Sequence, residues 1–213
     1  IRKSVYFQDF IIHLEEYIVN DTAFGLSEQT KLYIKNKKMI KDLENSLIND
    51  SRKGFDRIVS FIKEYFKDNF DGNWHFNFAN NNSKYNRGYQ LFRKDSWYIK
   101  DELNVHFEYH FGPKDFLLRD SINYMVDVEG SKQKEFMKLF NRYYKKNIEN
   151  FKEKNIEERP ENRRHAVAFK KYNLEETNDI MKIISTSLNE FEFLIDLIDK
   201  TFNDYIEGDS IAK

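Results

Sequence analysis

The chain has 213 residues, with 40% hydrophobic and 33% charged side chains and a formal net charge of −1. That length suits one domain, or two small ones, with a sizeable core, and 16% aromatics with only 7 Gly and 2 Pro exclude disordered, collagen-like and low-complexity classes. The absence of cysteine excludes a disulfide framework, a thiol nucleophile and a thiolate zinc site, which suits a reducing cytoplasm, and no apolar run nears the roughly 18 residues that span a bilayer.

The first third reads as helices. Phe7, Phe10, Ile11, Leu14 and Ile18 fall at helical spacing, with Asp9, His13, Glu15 and Glu16 off that stripe. Ser27 is a candidate N-cap for a second helix to about Leu47, with Leu32, Met39, Leu43 and Leu47 facing inward. Ser51 is a candidate cap for a third, striped by Phe55, Ile58, Val59, Ile62 and Phe66.

From Asp71 the period changes to two. Trp74, Phe76 and Phe78 alternate with His75 and Asn77, and Tyr89 to Lys94 reads as a second strand after a polar loop. Leu103 to Phe111 is the clearest strand: Val105, Phe107, Tyr109 and Phe111 on one face, His106, Glu108 and His110 on the other. Gly112-Pro113 marks a turn, and Phe116 to Glu129 offers a fourth strand. Ser131 is a candidate cap for a long basic helix carrying Phe136, Leu139, Phe140 and Tyr143. His165 to Lys171 reads as a short extra strand, and Asn173 with Glu176 as a capping box. The most regular stripe follows, Ile180, Ile183, Ile184, Leu188, Phe191, Ile195, Ile198 and Phe202, which implies either a break near Ser185-Thr186-Ser187 or a long helix projecting onto another domain. The expectation is an α+β fold in one domain, 1–213. It has a helical segment over 1–70, a four-stranded, mostly antiparallel sheet over 71–130 and two long helices over 131–213 packing on it.

Charge is strongly segregated. Residues 84–100 are net +4, 101–130 net −5, 131–171 net +7 and 172–213 net −7. Internal pairing of the basic and acidic segments, or plain solvated charge, is favoured over a binding face. The best binding candidate is the run KYNRGYQLFRKDSWYIK. Its cations Lys84, Arg87, Arg93, Lys94 and Lys100 interleave with Tyr85, Tyr89, Phe92, Trp97 and Tyr98. Cations neutralise phosphates and aromatic faces stack on unpaired bases, so Lys84, Arg87, Tyr89, Arg93, Lys94, Trp97 and Lys100 are the candidate nucleic-acid contacts, with DNA and RNA both open as partners. Arg159, Arg163, Arg164 and His165 form a second basic patch, hemmed by Glu157, Glu158 and Glu161.

Two clusters touch on metal or acid–base chemistry. His106, Glu108 and His110 share one strand face, where an adjacent pair at about 6.5 Å along the strand can share an ion, although a polar outer face explains them as well. Asp127 and Glu129 share another, without a third partner visible in the sequence. No strand carries Glu-x-Lys or Asp-x-Lys, and phosphate-binding Gly-rich loops, Gly-x-Ser-x-Gly and His-Glu-x-x-His are absent. No catalytic residue, cofactor or metal site is therefore assigned from sequence.

The order of these pieces resembles the region following the catalytic core in prokaryotic PD-(D/E)XK nuclease superfamily proteins, often found in phage-defence contexts. The stretch IRKSVYFQDFIIHLEEYIVND looks like their hand-over helix. WYIKDELNVHFEYHF with SINYMVDVEG looks like their paired aromatic strands, and AFKKYNLEETNDIMKIISTSLNEFEFLIDLIDKTF like their closing helix. The resemblance implies that the nuclease domain precedes Ile1, that no catalytic residue carries over, and that this chain is an accessory module, one that recognises nucleic-acid substrate or a regulatory one that docks a partner or restrains the nuclease. The alternative is a protein-interaction or oligomerisation module, since the long closing helix adds Leu194 and Leu197 to its stripe and a wide apolar surface asks for a partner.

Overall fold

A computed structural model describes residues 27–78, 88–113, 117, 119–158, 160, 164–174 and 180–211. The chain forms two compact units, residues 1–49 and 50–213. The helix expected before residue 20 lies outside the described residues, as does Glu176.

Helix α1 runs over Glu28–Asn69, so the two helices expected from Ser27 and Ser51 are one. Ser27 does cap it, accepting a hydrogen bond at its Oγ from the Thr30 amide at 3.3 Å. Ser51 instead lies fully buried inside the helix. Asn49, Asp50 and Ser51 cost only a few tenths of a kcal/mol each in a helix, too little to break one whose flanks are strong helix formers. In the first unit, Met39 and Leu43 are 42% and 56% exposed, so the inward face expected for them is not closed.

The second unit is built on a six-stranded antiparallel sheet, two strands more than expected. Strands β1 (Trp74–Asn77), β2 (Gln90–Lys94), β4 (Leu103–Tyr109), β5 (Ser121–Glu129) and β6 (Ala166–Asn173) lie in the order β1-β2-β4-β5-β6, with β3 (Tyr98–Ile99) also paired to β4. The short 3-10 turn Asp95–Trp97 lets β2 and β3 share one edge of β4. The segment read as a short extra strand pairs along β5 from Ser121–Asn173 to Asp127–Ala166, with an irregularity at Val126/Asp127. Its run of apolar and basic residues lacks clean alternation, which is why its length is hard to read.

One sheet face carries the core. Phe92, Val105, Phe107, Tyr109, Tyr124 and Val126 are all at most 1% exposed, and Tyr109 and Tyr124 stack at 4.0 Å between centroids. Phe55, Ile58, Ile62 and Phe66 of α1 cover one end, with Phe66 4.9 Å from Phe92. Helix α4 (Ile180–Phe191) covers the other, where Phe191 stands 4.5 Å from Tyr124. Helix α5 (Phe193–Ile211) packs on α2 (Gln133–Lys146) through Phe202 and Phe136, 5.0 Å apart.

The closing helix breaks at Glu192, not near Ser185–Ser187. Ser187 stays helical because its hydroxyl donates to the Ile184 carbonyl at 2.8 Å and meets Tyr109 at 2.6 Å. Leu194 and Leu197 are 0% and 4% exposed: the width of the stripe is covered within the chain. The basic segment 131–171 ends as α2, a short helix α3 (Ile148–Glu153) and β6, and Ser131 bonds the Asp101 carbonyl instead of capping α2. No helix among the described residues is long and apolar enough to cross a membrane.

Candidate functional site

The second face of the sheet carries the polar partners of the aromatic core. Alternation puts His75 and Asn77 of β1, Leu91 and Arg93 of β2, Tyr98 of β3, Asn104, His106 and Glu108 of β4, and Asp127 and Glu129 of β5 on this side. A cavity of about 180 Å³ opens there, lined by His75, Asn77, Arg93, Tyr98, Asn104 and His106, and also by Leu91 and Phe92.

The basic-aromatic run divides between the two faces. Arg93 turns to the cavity, its guanidinium 4.3 Å over the Tyr98 ring, which is 45% exposed, and it approaches Asp95 at 4.0 Å. Burial pulls the Arg93 pKa below its ordinary value, and Asp95 and Tyr98 oppose that. Tyr89 and Lys100 are exposed. Lys94 and Trp97 face the core. Trp97 is fully buried and donates its indole N–H to Asp199 Oδ1 at 2.7 Å, while the Lys94 ammonium holds Oδ2 at 2.5 Å. Such a Trp97 has no ring face for a base, and Lys94 spends its charge inside the fold. Lys84 and Arg87 lie outside the described residues. In the second patch, Arg164 and His165 are exposed, and His165 Nδ1 meets Gln133 Nε2 at 2.5 Å, whereas Arg159 and Arg163 are outside the described residues.

The His106 to His110 face is more buried than a solvated outer face. His106 is only 1% exposed, and it stands directly across from Asp127 in the β4–β5 register. Glu108 lies between the two histidines: His110 Nε2 bonds its Oε1, and His106 Nε2 is 3.4 Å from its Oε2. Burial raises the Glu108 pKa, and the two flanking imidazoles more than offset it, holding the carboxyl at about 2. Asp127 is pushed above its ordinary range, by burial first; the charge of His106 opposes this, and the Glu108 and Glu129 carboxylates reinforce it. Glu129 sits apart, exposed, with its Oε2 accepting from Asn104 Nδ2 at 3.0 Å.

Two contributors are invisible to pattern reading. Asp199 organises Lys94 and Trp97 from over a hundred residues away, and Glu190 accepts from Lys170 at 2.8 Å and Tyr172 at 2.5 Å. Their only signal was charge segregation, since both carboxylates belong to the acidic segment 172–213 and their cations to the basic segments. No family model, curated protein or solved structure matches the chain.

Proposed function

We propose that this chain is a recognition module that holds unpaired nucleotides of DNA or RNA on the outer face of its sheet. The observation that carries the reading is the Arg93–Tyr98 stack at the mouth of the cavity: a planar cation and an exposed ring share one surface above polar groups of His75, Asn77 and Asn104. Bases unstacked from a strand find aromatic and guanidinium faces there, and the amide and imidazole groups offer donors and acceptors to base edges. Exposed Tyr89 and Lys100 flank this patch in sequence. In the setting that the resemblance implies, the module serves a PD-(D/E)XK-type nuclease domain and leaves the bond-breaking to it.

Fluorescence anisotropy with labelled single- and double-stranded DNA and RNA at several salt concentrations tests this. Single strands are expected to bind with an affinity that falls as salt rises. Tyr98→Ala is expected to weaken binding by the equivalent of about 1–3 kcal/mol, the usual worth of one base–aromatic stack. Arg93→Glu weakens it and flattens the salt dependence. Binding indifferent to salt and to both substitutions sinks the reading.

A second reading, protein docking, has its own observation: Tyr33, Ile34, Met39 and Leu43 of α1 are each more than 40% exposed. Light scattering at two concentrations distinguishes it, since self-association through this helix would raise the mass of the particle with concentration.

A further inference from the structure

On the outer face of β4 and β5, one histidine and two carboxylates converge. His106, Glu108 and Asp127 each offer a ligand atom, and these atoms all lie within 4.8 Å of one another. Donors on one tetrahedral zinc ion, with bonds of roughly 2.1 Å, stand about 3.4 Å apart. Closing the cluster onto an ion therefore needs its widest pair to draw together by no more than about 1.4 Å, within the swing of the two carboxylate side chains.

A second observation comes from His106 itself. It is 1% exposed, and neither ring nitrogen has a hydrogen-bond partner. Its Nε2 points toward Glu108 Oε2 at 3.4 Å without forming an aligned hydrogen bond. A buried imidazole whose Nδ1 has no partner and whose Nε2 has only an unaligned contact costs on the order of 1–3 kcal/mol, so such a group in a native fold asks for an explanation. A cation between the imidazole nitrogen and the carboxylate oxygens supplies one. The other oxygen of Glu108 is held by His110, the arrangement by which an outer hydrogen bond orients a ligating carboxylate.

We propose that His106, Glu108 and Asp127 bind a transition-metal dication of the zinc or manganese class. The imidazole favours this class over magnesium and calcium, which prefer all-oxygen shells. Three protein ligands leave a further position for water or an anionic oxygen. Of the three ligands, His106 also lines the cavity on this face of the sheet. The site is independent of the nucleic-acid reading and is tested without nucleic acid.

The experiment is calorimetric titration of the chelator-treated, full chain with zinc, manganese and magnesium chlorides. It is paired with the visible absorption spectrum of the cobalt(II)-loaded protein. One zinc or manganese ion per chain is expected, with a rise in Tm, weaker binding of magnesium, and an intense cobalt spectrum of low coordination number. His106→Gln and Asp127→Asn each lower affinity by at least about tenfold, as losing a ligand must cost at least what losing an outer-shell partner does. Glu129→Gln, next along the same strand face but held by Asn104, removes no ligand atom and lowers affinity less than either. Failure of the wild-type chain to bind zinc or manganese overturns the proposal, as does binding that survives Asp127→Asn. Should His106→Gln fail to fold, Asp127→Asn and the wild-type cobalt spectrum still decide: a weak octahedral spectrum like that of the hydrated ion counts against the site.

Discussion

Asp199 shows how one residue ties distant parts of the sequence together. Its two oxygens hold the Trp97 indole and the Lys94 ammonium, while Lys94 also lies 5.7 Å from the Trp97 ring centre. Asp199→Ala leaves the buried indole N–H unpaired and is expected to destabilise the fold by about 1–3 kcal/mol. That figure counts the indole alone, because the Lys94 pair is partly screened by water. A lower urea midpoint with an altered tryptophan emission would report it. Gly130 is the second such residue. Its φ is +111°, and a Cβ there would come 2.2 Å from the Glu102 carbonyl oxygen. Gly130→Ala is expected to cost at least about 2 kcal/mol, since strain and a backbone clash act together. The Gly130 position was legible as the end of the sheet region. The contact that demands glycine was not, because Glu102 approaches only when β4 and β5 pair.

Among the elements, β4 was the most legible and also the least completely read. Strict alternation of Val105, Phe107 and Tyr109 with His106 and Glu108 identifies a strand with one apolar face, and the structure has it over Leu103–Tyr109. Phe107 sits at the centre of that face, 5.4 Å from Phe92, 5.7 Å from Tyr124 and 5.8 Å from Trp97. Phe107→Ala is expected to cost about 3–5 kcal/mol by leaving a cavity among rings that cannot collapse into it. Thermal or denaturant unfolding would measure that loss. The other face of the strand misled by its polarity: His106 reads as solvated, yet it is buried opposite Asp127. Helix ends were less legible than helix existence. α1 runs through Ser51 and the closing helix through Ser187, because each weak helix former costs less than the packing and hydrogen bonding around it provide.

Across the whole molecule, buried tyrosines make stability sensitive to alkaline pH. Burial raises the pKa of Tyr65 to about 12, with the Glu192 carboxylate adding to it, and burial raises Tyr109, Tyr124 and Tyr172 well above their ordinary value of 10. In the unfolded chain these groups lose their protons near pH 10, while the folded chain retains them. The unfolded state then binds fewer protons, so stability falls as pH rises. Their contribution is complete below pH 10 and is expected to fade above it, through about pH 12 for Tyr65. Unfolding followed by circular dichroism should coincide with tyrosinate absorbance. Tyrosinate appearing fully near pH 10 with the fold intact would contradict this. Charge segregation also acts at this scale: Lys170–Glu190 and Lys94–Asp199 join basic segments to the acidic C-terminal one inside the second unit.

The sequence by itself determined the α+β class, the aromatic antiparallel strands and the apolar stripes of the helices. These follow from periods of two and 3.6 residues, which are local properties of the backbone. Only the tertiary structure decided that Trp97 and Lys94 turn inward to Asp199 and that Glu108 lies between His106 and His110. It also decided that Asp127 completes a cluster with His106 and Glu108. Strand register and helix docking bring together residues tens of positions apart, and no local period carries that information.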